Sequence, residues 1–304
     1  MEDPRCPISA TSAVTPFLDV ADRFNLETGR TWSIVQNCSS GLCYLSPRPD
    51  EREIRNHYPS TGYAPFESLE QVPSARKMLY RWIRHLAIQS KARLILHKHQ
   101  HSLAPDAAIL EIGCSTGELL TSLRHTTAAE CIGMEPDTNA ATYARERYQL
   151  TIHEHLSDIQ GRFDLIIFWH TLEHIHRINE TLELTASLLK ENGSIIIALP
   201  NAQSADARHF GASWVAWDAP RHLWHFTPAT LASLLDKHGL TITKLTAYAP
   251  DAIYNSWESQ RLKSGEKQGL THNVYGIFKG LYFAMHGAMH PDTASSFICR
   301  VNHK

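Results

Sequence analysis

The chain has 304 residues, 43% of them hydrophobic, and carries 29 Lys and Arg against 31 Asp and Glu for a formal net charge of -2. Such a length can bury one large core with additions, or two smaller ones. The near-neutral balance argues against a nucleic-acid binder, which needs clustered cations to meet phosphates.

Six cysteines without a framework spacing point to reduced thiols and a cytoplasmic setting. The opening Met1-Glu2-Asp3-Pro4-Arg5 lacks the cationic and apolar regions of a signal peptide. Cys6-Pro7-Ile8-Ser9 and Cys38-Ser39-Ser40-Gly41-Leu42-Cys43 come first, then the turn-rich aromatic run His57-Tyr58-Pro59-Ser60-Thr61-Gly62-Tyr63. From about Pro73 to His101 the spacing predicts a long amphipathic helix that buries Leu79, Trp82, Ile83, Leu86 and Leu94. Its basic face reads as solvated, with contact to an anionic substrate or membrane as the alternative.

Ile109 to Leu120, Ile-Leu-Glu-Ile-Gly-Cys-Ser-Thr-Gly-Glu-Leu-Leu, is the most informative stretch. An apolar run with one carboxylate breaks into a small-residue turn and resumes at helical spacing, which predicts a strand, a tight turn and a helix N-terminus. Gly113 and Gly117 permit close approach of a ligand, and the free amides that open the helix favour negative charge. Three ligands compete for this turn. A dinucleotide would want a third glycine. Gly113-x-Ser115-x-Gly117 also spells the nucleophile elbow of a serine hydrolase. Glu111 suits a third ligand, because a carboxylate ending a buried strand needs a cation or donors, and the ammonium of S-adenosylmethionine is one.

Further along, Cys131 to Pro136 predicts a second strand ending in Glu135, with Cys114 and Cys131 as small apolar fillers. Phe163 to Trp169 predicts another strand. His170-Thr171-Leu172-Glu173-His174 follows it, with His170 at the strand end and His174 in the first turn of the next helix, so the inverted zinc-protease reading of His-x-x-Glu-His is disfavoured. Leu188 to Asn201 predicts a helix end, a turn and a strand. Trp214 to Pro228 packs three tryptophans, two histidines and an arginine into fifteen residues. This predicts a substrate-facing wall, with Arg221 meeting an anionic or carbonyl group. Ala229 to His238 predicts a helix stopped by Gly239, and Leu240 to Leu245 a strand. Val274 to Met289 is apolar but too short to span a bilayer. A core or substrate-pocket helix is expected there, and peripheral contact with a lipid-linked acceptor is the alternative. Ser296 to Val301 alternates as a final strand.

Four of these segments resemble, in order, the motifs of the class I S-adenosylmethionine-dependent methyltransferases: Leu110 to Gly117, Cys131 to Pro136, Phe163 to His174, and Leu188 to Asn201. The resemblance covers roughly 105 to 250. It implies a doubly wound, Rossmann-like α/β fold with a seven-stranded, mostly parallel sheet, helices on both faces, a small N-terminal β unit and a helical extension. It implies S-adenosylmethionine as cofactor, S-adenosylhomocysteine as product and a small-molecule or glycan-precursor acceptor. Glu111, Gly113, Cys114, Ser115, Gly117, Glu135, Pro136, Leu156, Trp169 and His170 are its expected contacts, with Glu135 on the ribose hydroxyls and Tyr63 in a lid. His174, His222 and His225 are the candidate general bases, with His222 favoured beside Arg221.

The resemblance also divides the chain into an N-terminal module (1–60), a lid or linker (61–104) and a catalytic domain (105–304) with an insert at about 201–228. Related bacterial enzymes carry a zinc-ribbon-like module with two Cys-x-x-Cys pairs. Here each pair has lost a cysteine, so a metal-free antiparallel unit is expected. Quinone-type O-methyltransferases hold a divalent metal with Glu-x-x-Glu-His and a distant histidine. His170 replaces the first glutamate, and no metal is expected. Besides methyl transfer, serine hydrolysis and cofactor binding without turnover remain open.

Overall fold

A computed structural model describes residues 1–59, 75–99, 103, 106–265 and 269–304, leaving aside the side chains of 75–83, 98, 99 and 270. Tyr63, expected in a lid, and Leu79, Trp82 and Ile83, expected on the buried face of the helix, therefore lie outside the described residues or side chains.

Strands β1 (Val14–Ala21), β2 (Thr31–Asn37) and β3 (Cys43–Leu45) lead to helix α1 (Ala75–Leu94), which continues as a wider turn over Ile95–His99. Then come β4 (Ala108–Ile112), α2 (Glu118–Thr127), β5 (Glu130–Met134), α3 (Thr138–Tyr148), β6 (Thr151–His153), β7 (Phe163–Trp169), α4 (Ile178–Leu188) and β8 (Leu189–Pro200). The remainder is α5 (Ala205–Phe210), β9 (Trp224–His225), α6 (Pro228–Asp236), β10 (Leu240–Ala247), α7 (Ala249–Ser264), α8 (Leu270–Met289) and β11 (Ser296–His303). Seven strands form one sheet in the order β10-β11-β8-β7-β4-β5-β6, and β1-β2-β3-β9 form a second. Pairs β4–β5, β4–β7 and β5–β6 are parallel. The order reverses at β4, which pairs with β5 on one edge and β7 on the other; ligands bind beyond the strand ends at such a switch point.

The chain divides into two compact units, one of Met1–Tyr58, Leu172–Asn179 and Ala198–Cys299, the other of Pro59–Thr171, Glu180–Ile197 and Arg300–Lys304. In the second unit, β4 and β7 are almost continuously buried, as strands covered on both faces must be. Helix α2 buries Leu119, Leu120 and Leu123. Helix α3 buries only Ala140, Ala141 and Ala144, a narrow face that permits close packing. Asp137 caps α3 by accepting the Ala140 amide at 2.9 Å.

In the first unit, antiparallel β1, β2 and β3 are joined by β9, whose Trp224 and His225 pair with Tyr44 and Cys43. Val20, Trp32, Ile34, Cys43 and Leu45 share one core with Phe210, Trp214, Trp217 and Phe283. The expected antiparallel β unit is present, but it is not confined to residues 1–60. Three short strands bury too little by themselves, and the tryptophan-rich insert completes their core. Cys43 is a core side chain whose thiol burial pushes up to about 12. Cys6 is buried against the Ser40 hydroxyl at 3.1 Å, and Cys38 is exposed. The buried Asn37 amide ties their two turns, donating to Thr11 Oγ1 at 3.1 Å and accepting from the Ser40 amide at 3.0 Å.

Four local expectations are corrected, the first being Leu86, which is 43% exposed on α1 rather than buried. His174 lies in a short 3-10 turn, Leu172–His174, ahead of α4 rather than in its first turn. No turn precedes the strand after α4, because β8 begins at Leu189, where Lys190 pairs with Asp164 at 2.8 Å. Helix α8 forms as expected but is not a core helix, since Phe278, Met285 and Met289 are each 69% exposed.

Candidate active site

The turn between β4 and α2 is shaped by backbone conformation. Gly113 and Gly117 both take φ 76° and Ser115 takes φ 48°, the left-handed region that disfavours a Cβ. A Cβ on Gly113 would lie 2.5 Å from Thr171 Oγ1, and one on Gly117 would lie 2.6 Å from Leu150 Cδ1. Gly113 thus serves close approach at the strand end, and Gly117 serves helix packing. The Gly113 and Cys114 amides donate to the Met134 carbonyl at 2.8 and 3.1 Å, locking the turn to the end of β5. Cys114 is a buried filler whose thiol desolvation holds far above its ordinary range.

Two carboxylates flank this turn. Glu111 is 4% exposed, and its Oε2 is buried without a hydrogen-bond partner. Burial pushes its carboxyl up to about 8, against the opposing charge of Lys91. A desolvated acceptor of this kind is costly until a cation meets it. Glu135, at the end of β5, accepts the Ser115 amide on Oε2 at 2.8 Å and the Asp137 amide on Oε1 at 2.9 Å. Burial raises it to about 7, although those two amides favour its ionised form. Each oxygen keeps a lone pair, so the group can accept two further hydrogen bonds, as a vicinal diol requires. Pro136 follows at the surface, and Leu156 is buried in the turn after β6. Trp169 ends β7 with the Lys91 ammonium 5.0 Å from its ring centroid, and His170 follows at φ 52°. Glu111, Gly113, Ser115, Glu135, Trp169 and His170 thus sit at the carboxyl ends of three adjacent strands.

In the first unit, Glu173, His174 and His222 bring one ligand atom each to within 4.8 Å of one another. His174 Nδ1 donates to the Arg221 carbonyl at 2.9 Å, and His222 Nδ1 donates to the Ala216 carbonyl at 2.8 Å. A carbonyl can only accept, so Nδ1 carries a proton in both rings. Burial, with His174 adding to it, lowers His222 to about 4, so the imidazole is neutral at physiological pH. Glu173 is 1% exposed, and its carbonyl accepts the Leu223 amide at 2.8 Å.

The methyltransferase-domain family matches residues 67–245, more than half of the chain. The chain belongs to the class I S-adenosylmethionine-dependent methyltransferases. The ubiquinone biosynthesis O-methyltransferase of Rhodopseudomonas palustris strain HaA2 is 27% identical over 165 residues, or 49% of this chain and 64% of that protein, so the chain spans just under two thirds of this relative's length. The corresponding protein of Bartonella quintana is 26% identical over 191 residues, 57% of this chain and 77% of its own. Among solved structures, magnesium protoporphyrin IX methyltransferase of Synechocystis, with bound S-adenosylhomocysteine, shares the fold at TM-score 0.51 and 12% identity, covering 84% of this chain and all of that one.

Ser115 accordingly belongs to a methyltransferase turn, and the hydrolase reading of this turn falls. Two of the methyltransferase's expected acceptor-side residues are also corrected. Arg221 is fully buried. Its guanidinium donates to Asp218 Oδ1 from Nε at 3.1 Å, to Asp22 Oδ1 from Nη2 at 2.8 Å and to the His57 carbonyl from Nη1 at 2.8 Å. It holds the loop together and has no face to offer a substrate. His225 is 5% exposed, edge-on to Trp217 with ring centroids 5.1 Å apart, and burial lowers it to about 3. An imidazole of such low basicity is a poor general base, and the same argument counts against the base role expected of His222. Glu173 is the residue that sequence reasoning left without a role. Its place in His-x-x-Glu-His was the available signal, set aside with the protease reading.

Proposed function

We propose that the protein transfers the methyl group of S-adenosylmethionine to a hydroxyl of a small-molecule or glycan-precursor acceptor. The acceptor oxygen attacks the sulfonium methyl carbon in line, the carbon–sulfur bond breaks, and S-adenosylhomocysteine and a proton are released. The observation that carries the reading is the pair of buried carboxylates beside the glycine turn. Glu111 Oε2 is the acceptor for the cofactor's ammonium, and Glu135 is the acceptor for its ribose diol. The amides opening α2 suit its carboxylate. Gly113, Cys114, Ser115 and Gly117 shape the turn around it, and Pro136, Leu156, Trp169 and His170 serve its adenine side.

The ubiquinone-type relatives support a hydroxyl acceptor. The donor set of Glu173, His174 and His222 fits a divalent cation: one carboxylate and two imidazoles, each oriented by a main-chain carbonyl. Such a cation supplies a Lewis acid that lowers the pKa of a hydroxyl. The chain's own contribution is rigidity, because the ion cluster of Arg221 with Asp22 and Asp218 fixes the loop that carries His222 and the carbonyl that orients His174. Holding two reactants in line can by itself be worth about 7 to 11 kcal/mol.

Thermal unfolding with and without S-adenosylhomocysteine tests the donor assignment. The wild type should gain in melting temperature and Glu135→Ala should gain nothing; an equal gain in the variant refutes the ribose assignment. A screen of hydroxylated acceptors with and without magnesium or zinc, read by S-adenosylhomocysteine release, tests the acceptor side.

A further inference from the structure

Helix α8 is built inside out for a helix facing water. Its inner face is glycine: a Cβ on Gly276 would lie 2.9 Å from Trp257 Cα, and one on Gly280 would lie 2.5 Å from Ile253 Cα, so α8 lies directly against the backbone of α7. Its outer face carries Val274, Phe278, Leu281, Tyr282, Met285 and Met289, exposed by 48 to 69%. At 100° per residue these side chains fall within one contiguous arc, with no polar residue interrupting it. A soluble helix normally turns such residues inward, and an uncovered apolar stripe of this length marks a binding surface.

The charge around the stripe identifies what covers it. From Gly269 to His290 there is no acidic residue, and Lys279 supplies a cation. Beside the stripe a pocket of about 450 Å³ is lined by Phe278, Lys279, Tyr282 and Phe283 of α8 and by Arg208 and His209 of α5. The Lys279 ammonium lies 5.6 Å from the Tyr275 ring centroid and 5.9 Å from that of Tyr282. This places a cation at the rim of the apolar face with tyrosines around it, as at a bilayer interface. A second copy related by a two-fold axis would bring the same cationic rim against itself, which is repulsive. No helix of the described residues is long and apolar enough to cross a membrane, so the helix can lie on a bilayer and not through it.

We propose that α8 docks the protein on an anionic phospholipid surface, with Phe278, Leu281, Met285 and Met289 entering the acyl boundary and the pocket of Arg208, His209 and Lys279 receiving a phosphate headgroup. The surface is independent of the methyl-transfer reading. Flotation with vesicles of phosphatidylcholine containing about one third phosphatidylglycerol, beside pure phosphatidylcholine vesicles, tests it. Binding to the anionic vesicles should exceed binding to the neutral ones by roughly tenfold or more and should weaken in high salt. Phe278→Glu combined with Met285→Glu should abolish it. Arg208→Glu combined with Lys279→Glu should remove the preference for anionic lipid. Both double variants should keep the wild-type circular dichroism spectrum, since the changed side chains point outward. Absence of flotation with anionic vesicles overturns the proposal. So does a wild-type dimer in sedimentation that Phe278→Glu with Met285→Glu dissociates, because a second copy would then cover the face.

Discussion

Replacing Glu111 by Gln removes a charge from a buried site while keeping its shape. The ordinary carboxyl value of 4.5 is raised to about 8 in the folded chain. Between those two values the folded protein keeps the proton that the unfolded chain has lost, so the folded state binds more protons and rising pH favours unfolding. The stability is therefore fully present below about pH 4.5 and declines until pH passes about 8. At about 1.4 kcal/mol per pH unit, the ceiling for this loss is about 5 kcal/mol. Local relaxation and water entry reduce it, and we expect Glu111→Gln to gain roughly 1 to 3 kcal/mol over the wild type between pH 5 and pH 9 in the ligand-free protein. Urea unfolding of both proteins at one-unit pH steps measures the difference directly. S-adenosylhomocysteine should reverse the ranking, because its ammonium pairs with the ionised carboxylate of the wild type and finds only an amide in the variant. Stability curves that run parallel from pH 5 to pH 8 would refute the reasoning, since they would mean that Glu111 ionises normally in the folded chain.

Arg221→Met should cost about 3 to 5 kcal/mol in chemical denaturation, because it leaves Asp22 and part of Asp218 buried without their shared cation. Burial alone would raise Asp218, yet Arg23 and Arg221 hold it far below the carboxylate range, and a variant as stable as wild type would show that the cluster is not what fixes the loop. His225→Phe should leave stability within about 1 kcal/mol of wild type, since its buried Nε2 has no partner to lose, and should leave methyl transfer within about twofold in a steady-state assay. A loss of turnover on the scale of a His222→Ala variant would return His225 to the reacting groups. Gly113→Ala should cost about 1 to 2 kcal/mol for its left-handed backbone alone. It should also weaken S-adenosylhomocysteine binding in calorimetry by displacing Thr171; unchanged affinity would show that the strand end has room to spare.

The sequence by itself determined the alternation of strands and helices in the sheet and the two acidic strand ends. These signals are local. Ile109 to Leu120 carries its own periodicity change and its own glycines, and Glu111 and Glu135 lie at the ends of short apolar runs, so the turn and the carboxylates follow from residues near one another in the chain, while the parallel order came with the family resemblance. Only the tertiary structure decided the rest, because it depends on partners far apart in sequence. Arg221 reads as a substrate-facing cation until Asp22, 199 residues away, is seen to hold it. Glu173 and His174 read as a broken motif until His222 joins them. The N-terminal strands look like a separate module until Trp224 and His225 complete their sheet. Val274 to Met289 reads as a core helix because apolar content says that a surface must be covered. Which face turns outward was settled by glycines that let α7 approach on the other side.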